Sequence, residues 1–245
     1  MTAIAAEDRD SVEVRCARLA ELYAEIWEWG RTKYDDAVVK KKVDVVDPNS
    51  RLFLVGEAYA KRQVRLTGIN WFDKKEELGP AGSNLQLVLG CLGYTVRPPA
   101  PVRIQDRWIQ PRENGLRTAY TTDIFPCHPP SGGAPSGREI ADALEQGFLL
   151  RELEILRPKV ILLLGDKGYR AFYKNVLQRN AKESISDAFK GLGSRSRFEV
   201  YRGATVIPFF HPSPANGHFM PWLNKVGESL CETPQIKAIG NTLAD

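Results

Sequence analysis

The chain is poor in the residues that mark metal sites and redox centres. It has four cysteines in 245 residues, Cys16, Cys91, Cys127 and Cys231, and none of them forms a CxxC pair. A zinc ribbon or a thioredoxin-type motif is therefore excluded, because both need paired thiolates. Four free thiols in a reducing compartment are the expectation. The opening MTAIAAEDRDSVEV holds no basic region followed by an apolar stretch, and no apolar run approaches the ~20 residues that cross a bilayer. These absences predict a soluble, cytoplasmic protein with no membrane partner. Repeats and low-complexity tracts are missing too. Charge is extreme in neither direction: 34 Lys and Arg stand against 30 Asp and Glu, which suits a polyanionic partner but excludes a tail-driven, histone-like binder.

What is present is regular. A hydrophobic content of 43% is enough for one core, so residues 1–245 are expected to form one domain with an N-terminal helical extension over about residues 1–45. Val14, Leu19, Leu22, Ile26 and Trp29 fall at helical spacing, which predicts an amphipathic helix from Val12 to Trp29. Lys40, Lys41 and Lys42 then form a short basic run that either meets phosphates or is a solvated surface. Four apolar runs read as buried strands: Leu52 to Val55, Ala119 to Phe125, Val160 to Leu164 and Thr205 to Phe210. Between them lie a helix over Asn84 to Leu92, a longer one from Gly137 to Leu156 stopped by Pro158, and a third starting near Asp166. The alternation predicts an α/β fold, a three-layer α/β/α sandwich with a central, mainly parallel four-stranded sheet. Ligands bind at the carboxyl ends of such strands.

The unusual residues sit at those ends. Glu57, in GEAYA after the first strand, is placed to orient water or to oppose the positive charge that builds on a sugar as an N-glycosidic bond breaks; equally, it caps the next helix. His211 opens HPSP after the fourth strand, where an imidazole N–H would stabilise a departing anionic base, unless backbone groups merely satisfy it. Asp123, in TTDIFPCHPP, either accepts from a base N–H or caps a turn. Trp71 and Phe72 follow GIN in a loop and either stack on an extruded base or fill the core.

In order, GEAYA, TGINWF, LGPAGSNLQLVL, YTTDIFPCHPP, RPKVILLLGDKG and FFHPSPAN resemble the motifs of the uracil-DNA glycosylase superfamily, and more closely its GEAPG branch than its GQDPYH branch. The resemblance runs from Leu52 to Met220. It implies a DNA-repair hydrolase that flips a damaged base, uracil foremost, out of DNA and cleaves its glycosidic bond. Glu57 then takes the place of the catalytic carboxylate, His211 that of the leaving-group histidine, and Trp71 or Phe72 that of the stacking aromatic. Asp123 reads the base, and Tyr59, a departure from the branch's motif, either fills part of the pocket or simply packs. DNA contacts fall to Lys61, Arg62 and Arg65 along the backbone, to Pro129, Ser131 and Ser213 in the compressing loops, and to Phe219 and Met220 as wedges.

Three departures qualify it. Asp123 stands where the branch has asparagine, which opens deaminated purines or a wider lesion set as substrates. A non-hydrolytic module that binds uracil or abasic DNA is the alternative outside enzymes. Tyr59 and Ala60 replace the usual Pro-Gly. Many members hold a four-iron cluster on four cysteines; here only Cys127 matches a ligand position, so no metal and no cofactor is expected. The implied partner is damaged DNA, bound by a monomer.

Overall fold

A computed structural model describes residues 11–34, 43–58, 71–74, 77–104, 107–109, 115–128, 134–194 and 198–244. Helix α1, Val12–Tyr34, runs further than its apolar spacing predicts and buries Leu19, Leu22, Tyr23, Ile26 and Gly30 along one stripe. Val14 lies outside that stripe and is exposed.

The central sheet has five strands: β1 Leu52–Ala58, β2 Tyr120–Phe125, β3 Val160–Leu164, β4 Glu199–Tyr201 and β5 Ala204–Phe209. Their order across the sheet is β4-β5-β3-β1-β2. The four strands expected from the sequence pair in parallel, and β4 adds an antiparallel edge to β5. The expected four-stranded sheet is thus one strand short. With three residues and half-exposed side chains, β4 carries no apolar run to reveal it. Every residue of β3 is fully buried, as a strand covered on both faces must be.

Helix α2 spans Pro80–Cys91, α3 Gly137–Glu145, α4 Phe148–Leu156, α5 Asp166–Asn175, α6 Ile185–Lys190, α7 Phe219–Val226 and α8 Pro234–Ala244. The single helix expected from Gly137 to Leu156 is two. Gly147 takes a φ of 69° between them, a left-handed conformation that ends α3 and that glycine adopts without a Cβ clash. Ser136 and Glu139 close a reciprocal capping box at the start of α3. Helices α3, α4 and α5 pack over β1, β2 and β3, α1 packs on α4, α6 on β5 and α8 on β3.

A buried polar chain ties α1 to the sheet. Tyr120 on β2 donates to Glu152 Oε1 of α4 at 2.5 Å, and its hydroxyl lies 2.6 Å from that of Tyr23 on α1. Burial pushes both phenols well above their ordinary range, so two neutral hydroxyls meet beside the Glu152 carboxyl side chain. The expectation of four free thiols is corrected: Cys91, at the end of α2, and Cys231 form a disulfide across a separation of 140 residues. Their neighbourhood arises from packing of α2 on the 3-10 helix Gly227–Glu232, which no local spacing reveals.

Candidate active site

Each parallel strand brings a distinctive residue to the same end of the sheet. In the register of β1 and β2, Gly56 stands opposite Asp123. A Cβ on Gly56 would lie 2.1 Å from Asp123 Oδ1, so glycine is what admits this carboxylate, which is only 6% exposed. Successive strand residues point to opposite faces, and Glu57 accordingly turns toward α5. There Glu57 Oε1 stands 3.2 Å from Lys167 Nζ. The oxygen is shielded from solvent and accepts no hydrogen bond among the described residues, so its contact with Lys167 is electrostatic. Lys167 itself was not singled out in the sequence. Its LGDKG string puts a lysine on the first turn of α5, but only the pairing of β3 with β1 brings that turn to Glu57.

His211 lies two residues beyond β5. Gly165, which ends β3 with a φ of 90°, approaches it so closely that a Cβ there would stand 3.3 Å from His211 Cβ. Burial holds the imidazole below its ordinary pKa, so the ring is neutral at pH 7. The backbone N–H of Ser213 donates to Nδ1 at 3.2 Å. With Nδ1 accepting, the proton of the neutral ring sits on Nε2, and His211 offers one N–H donor.

Asn84 of α2 secures the loop behind this histidine, donating from Nδ2 to the Pro212 carbonyl at 2.9 Å and lying 3.4 Å from Met220 Sδ. It is a second residue that the sequence did not reveal, since 128 positions separate it from Pro212.

The two candidate aromatics separate. Trp71, held at a φ of 75°, has its ring centroid 6.0 Å from that of His211. Its indole Nε1 is buried with no hydrogen-bond partner among the described residues, an uncommon state that a bound acceptor would relieve. Phe72 is fully buried with the Arg97 guanidinium 5.8 Å from its ring centre; it is a core residue, which corrects the expectation that its ring could stack on a base. Alternation explains the split, because neighbouring residues face opposite ways at the start of a strand.

The loop after His211 is tightly tied. Ser213 Oγ accepts from Ala215 N–H, and Asn216 Oδ1 accepts from the N–H groups of His218 and Phe219 at the start of α7. Phe219, expected as a wedge into DNA, is fully buried against Phe209 and Trp222. That expectation fails because the first turn of α7 points inward. Met220 is half-buried beside Asn84, whereas Pro214, Ala215, Gly217 and His218 are exposed. Tyr59, Lys61, Arg62, Arg65, Pro129 and Ser131 lie outside the described residues, as do Lys40, Lys41 and Lys42.

The iron cluster of many GEAPG-branch members does not fit the thiols of this chain. Such a cluster takes four thiolates, and two of the four cysteines are bonded to each other. Cys127 is buried among Phe125, Ala143 and aromatic rings of α1, where desolvation and the nearby Glu139 push its thiol up to about 12.

A model of the uracil DNA glycosylase superfamily matches residues 43–227. The chain is 27% identical over 173 residues to the type-5 uracil-DNA glycosylase of Pyrobaculum aerophilum, covering 69% of this chain and 64% of that protein. It is 31% identical over 104 residues to the type-4 uracil-DNA glycosylase of Thermotoga maritima, covering 42% of this chain and 48% of that one. The chain thus spans less than two thirds of either relative. The matched region takes in all five strands of the sheet and the polar residues at their ends, and on that ground the chain belongs to the uracil DNA glycosylase superfamily.

Proposed function

We propose that the protein is a monofunctional glycosylase that rotates a damaged base, uracil foremost, out of DNA and hydrolyses its N-glycosidic bond, leaving free base and an abasic site. The observation that carries this reading is the state of His211: neutral, with Nδ1 engaged by Ser213 and Nε2–H available. Departure of uracil concentrates negative charge on the carbonyl oxygen beside the broken bond, and a preorganised neutral donor stabilises that charge. The names of the two relatives support uracil as the base.

Glu57 takes the other half of the charge separation. Its shielded Oε1 is held beside Lys167, where a carboxylate can orient water and oppose the cationic character of the sugar. Trp71, next to His211, stacks on the extruded base. Asp123 meets the base edge as an acceptor for N3–H. The substrate is DNA, met by a monomer at the strand ends, with Ser213 and the exposed Pro214 and Ala215 against the backbone.

Asp123 admits a second reading. A carboxylate accepts from the N3–H of uracil without donating to O4, and hypoxanthine and xanthine present the same pairing of a ring N–H and a carbonyl, so deaminated purines compete as substrates on equal terms at this residue. Single-turnover incubation with oligonucleotides carrying one uracil, hypoxanthine, xanthine or no lesion, followed by alkaline cleavage of abasic sites, tests both. Cleavage at uracil that is lost in His211→Ala and Glu57→Ala is the expected result. Cleavage at purines alone transfers the activity to the second reading, and tight binding without any cleavage leaves a non-hydrolytic module.

A further inference from the structure

Behind His211 lies a groove that the reaction does not use. It encloses about 510 Å³ between the end of α6, helix α7 and the start of α8. Phe189, Phe210 and Trp222 form its floor, with Phe189 4.4 Å from Phe210 and 5.0 Å from Trp222 between ring centroids. His218 is exposed and lies nearly parallel on Phe210, 5.5 Å away at 18°. Lys190 and Lys225 stand exposed at the rim. Neither has an ion-pair partner among the described residues, and no carboxylate lines the groove.

Phe189 and Phe210 are buried, so the ring surface that the groove leaves open belongs to half-buried Trp222 and exposed His218; aromatic rings beside such lysines are the chemistry of single-stranded nucleic acid, in which bases stack on the rings while lysines meet phosphates. Position points the same way. Phe210 lines the groove and His211 the candidate active site, and these consecutive residues have α-carbons about 3.8 Å apart. A strand held with one nucleotide at His211 therefore passes within a few nucleotides of the groove.

We infer that this groove is a second nucleotide-binding subsite, which takes an unpaired base of the DNA strand flanking the lesion. The inference rests on the reading of DNA as substrate and adds to it a contact outside the catalytic centre. It gives the enzyme a preference for lesions whose flank is single-stranded or easily opened.

The test uses the full-length protein and undamaged 15-nucleotide oligonucleotides, single-stranded or duplex, with Lys190→Glu/Lys225→Glu and His218→Ala variants. All three substituted side chains are exposed, and circular dichroism melting confirms that each variant folds. The double charge reversal is expected to weaken single-strand binding about tenfold and to lower its salt slope by about one, while single-turnover excision from duplex uracil DNA at saturating enzyme is unchanged. A 2-aminopurine placed in turn one to four nucleotides from the lesion is expected to be quenched at one position, and His218→Ala to relieve that quenching.

Unchanged single-strand affinity and salt slope in the charge reversal, or quenching that is uniform along the strand, would overturn the subsite even if uracil is excised normally. Loss of single-strand binding in a protein that excises no base keeps the subsite and removes the glycosylase reading instead.

Discussion

Asp123 Oδ1 occupies the space that a Cβ on Gly56 would need, 2.1 Å from its ideal position. The glycine of GEAYA and the aspartate of TTDIFPC are therefore one unit across neighbouring strands. Gly56→Ala is expected to displace the carboxylate and slow single-turnover excision about 100-fold, the scale of a 1 Å misplacement at a reacting centre. In an Asp123→Ala background the same substitution should cost little more, because the clash is gone. Additive losses in that double-mutant cycle would separate the two residues.

Glu57 and Lys167 give a graded pair. Glu57→Gln keeps the shape and removes the charge, and is expected to lower the single-turnover rate about 100-fold or more. Lys167→Ala leaves the carboxylate but frees its position, with a loss of about tenfold. Equal losses would mean that Lys167 touches the substrate itself.

The buried imidazole predicts a pH dependence of stability. In the unfolded chain His211 takes up a proton near pH 6.5, and in the folded chain only at lower pH, because burial opposes the charged ring. Within that window the unfolded state binds more protons, so stability rises with pH. His211 thus leaves stability undiminished above about pH 6.5 and reduces it as pH falls toward the folded value, where Nδ1 also ceases to accept from Ser213. Melting temperatures measured from pH 7.5 to 5 are expected to fall more steeply for the native protein than for His211→Gln; parallel curves would contradict the assignment.

The Cys91–Cys231 bridge closes a loop of 140 residues. Cys91→Ser/Cys231→Ser, or reduction of the native protein, is expected to lower unfolding stability by about 2–4 kcal/mol. Denaturant titration with and without reductant checks it, and a native protein insensitive to reductant would mean that the thiols are not paired in solution.

The sequence disclosed the four parallel strands because each is a run of apolar residues buried on both faces, and it offered Glu57, Asp123 and His211 as candidates because Glu57 and His211 follow such runs and Asp123 is the one charged residue within its own. It could not disclose what depends on strand order or distant packing. Lys167 reaches Glu57 only through the β3–β1 pairing, Asn84 reaches Pro212 across 128 positions, and Phe219 turns inward because Asn216 sets the first turn of α7. Trp71 and Phe72 are adjacent and chemically alike, so only the backbone could separate them.

The Tyr23–Tyr120–Glu152 chain bears on how the protein can be cut down. The superfamily match starts at residue 43, which invites a shortened protein beginning there. Such a truncation would remove Tyr23 and uncover the buried Tyr120 hydroxyl and Glu152, along with the apolar stripe of α1 that packs beside them. Stripping a partner from a buried polar group costs about 1–3 kcal/mol, before the lost apolar burial is counted. A fragment starting at residue 43 is expected to melt earlier and to aggregate on heating, so the minimal unit for expression begins before Val12, although the candidate active site lies at the far end of the sheet.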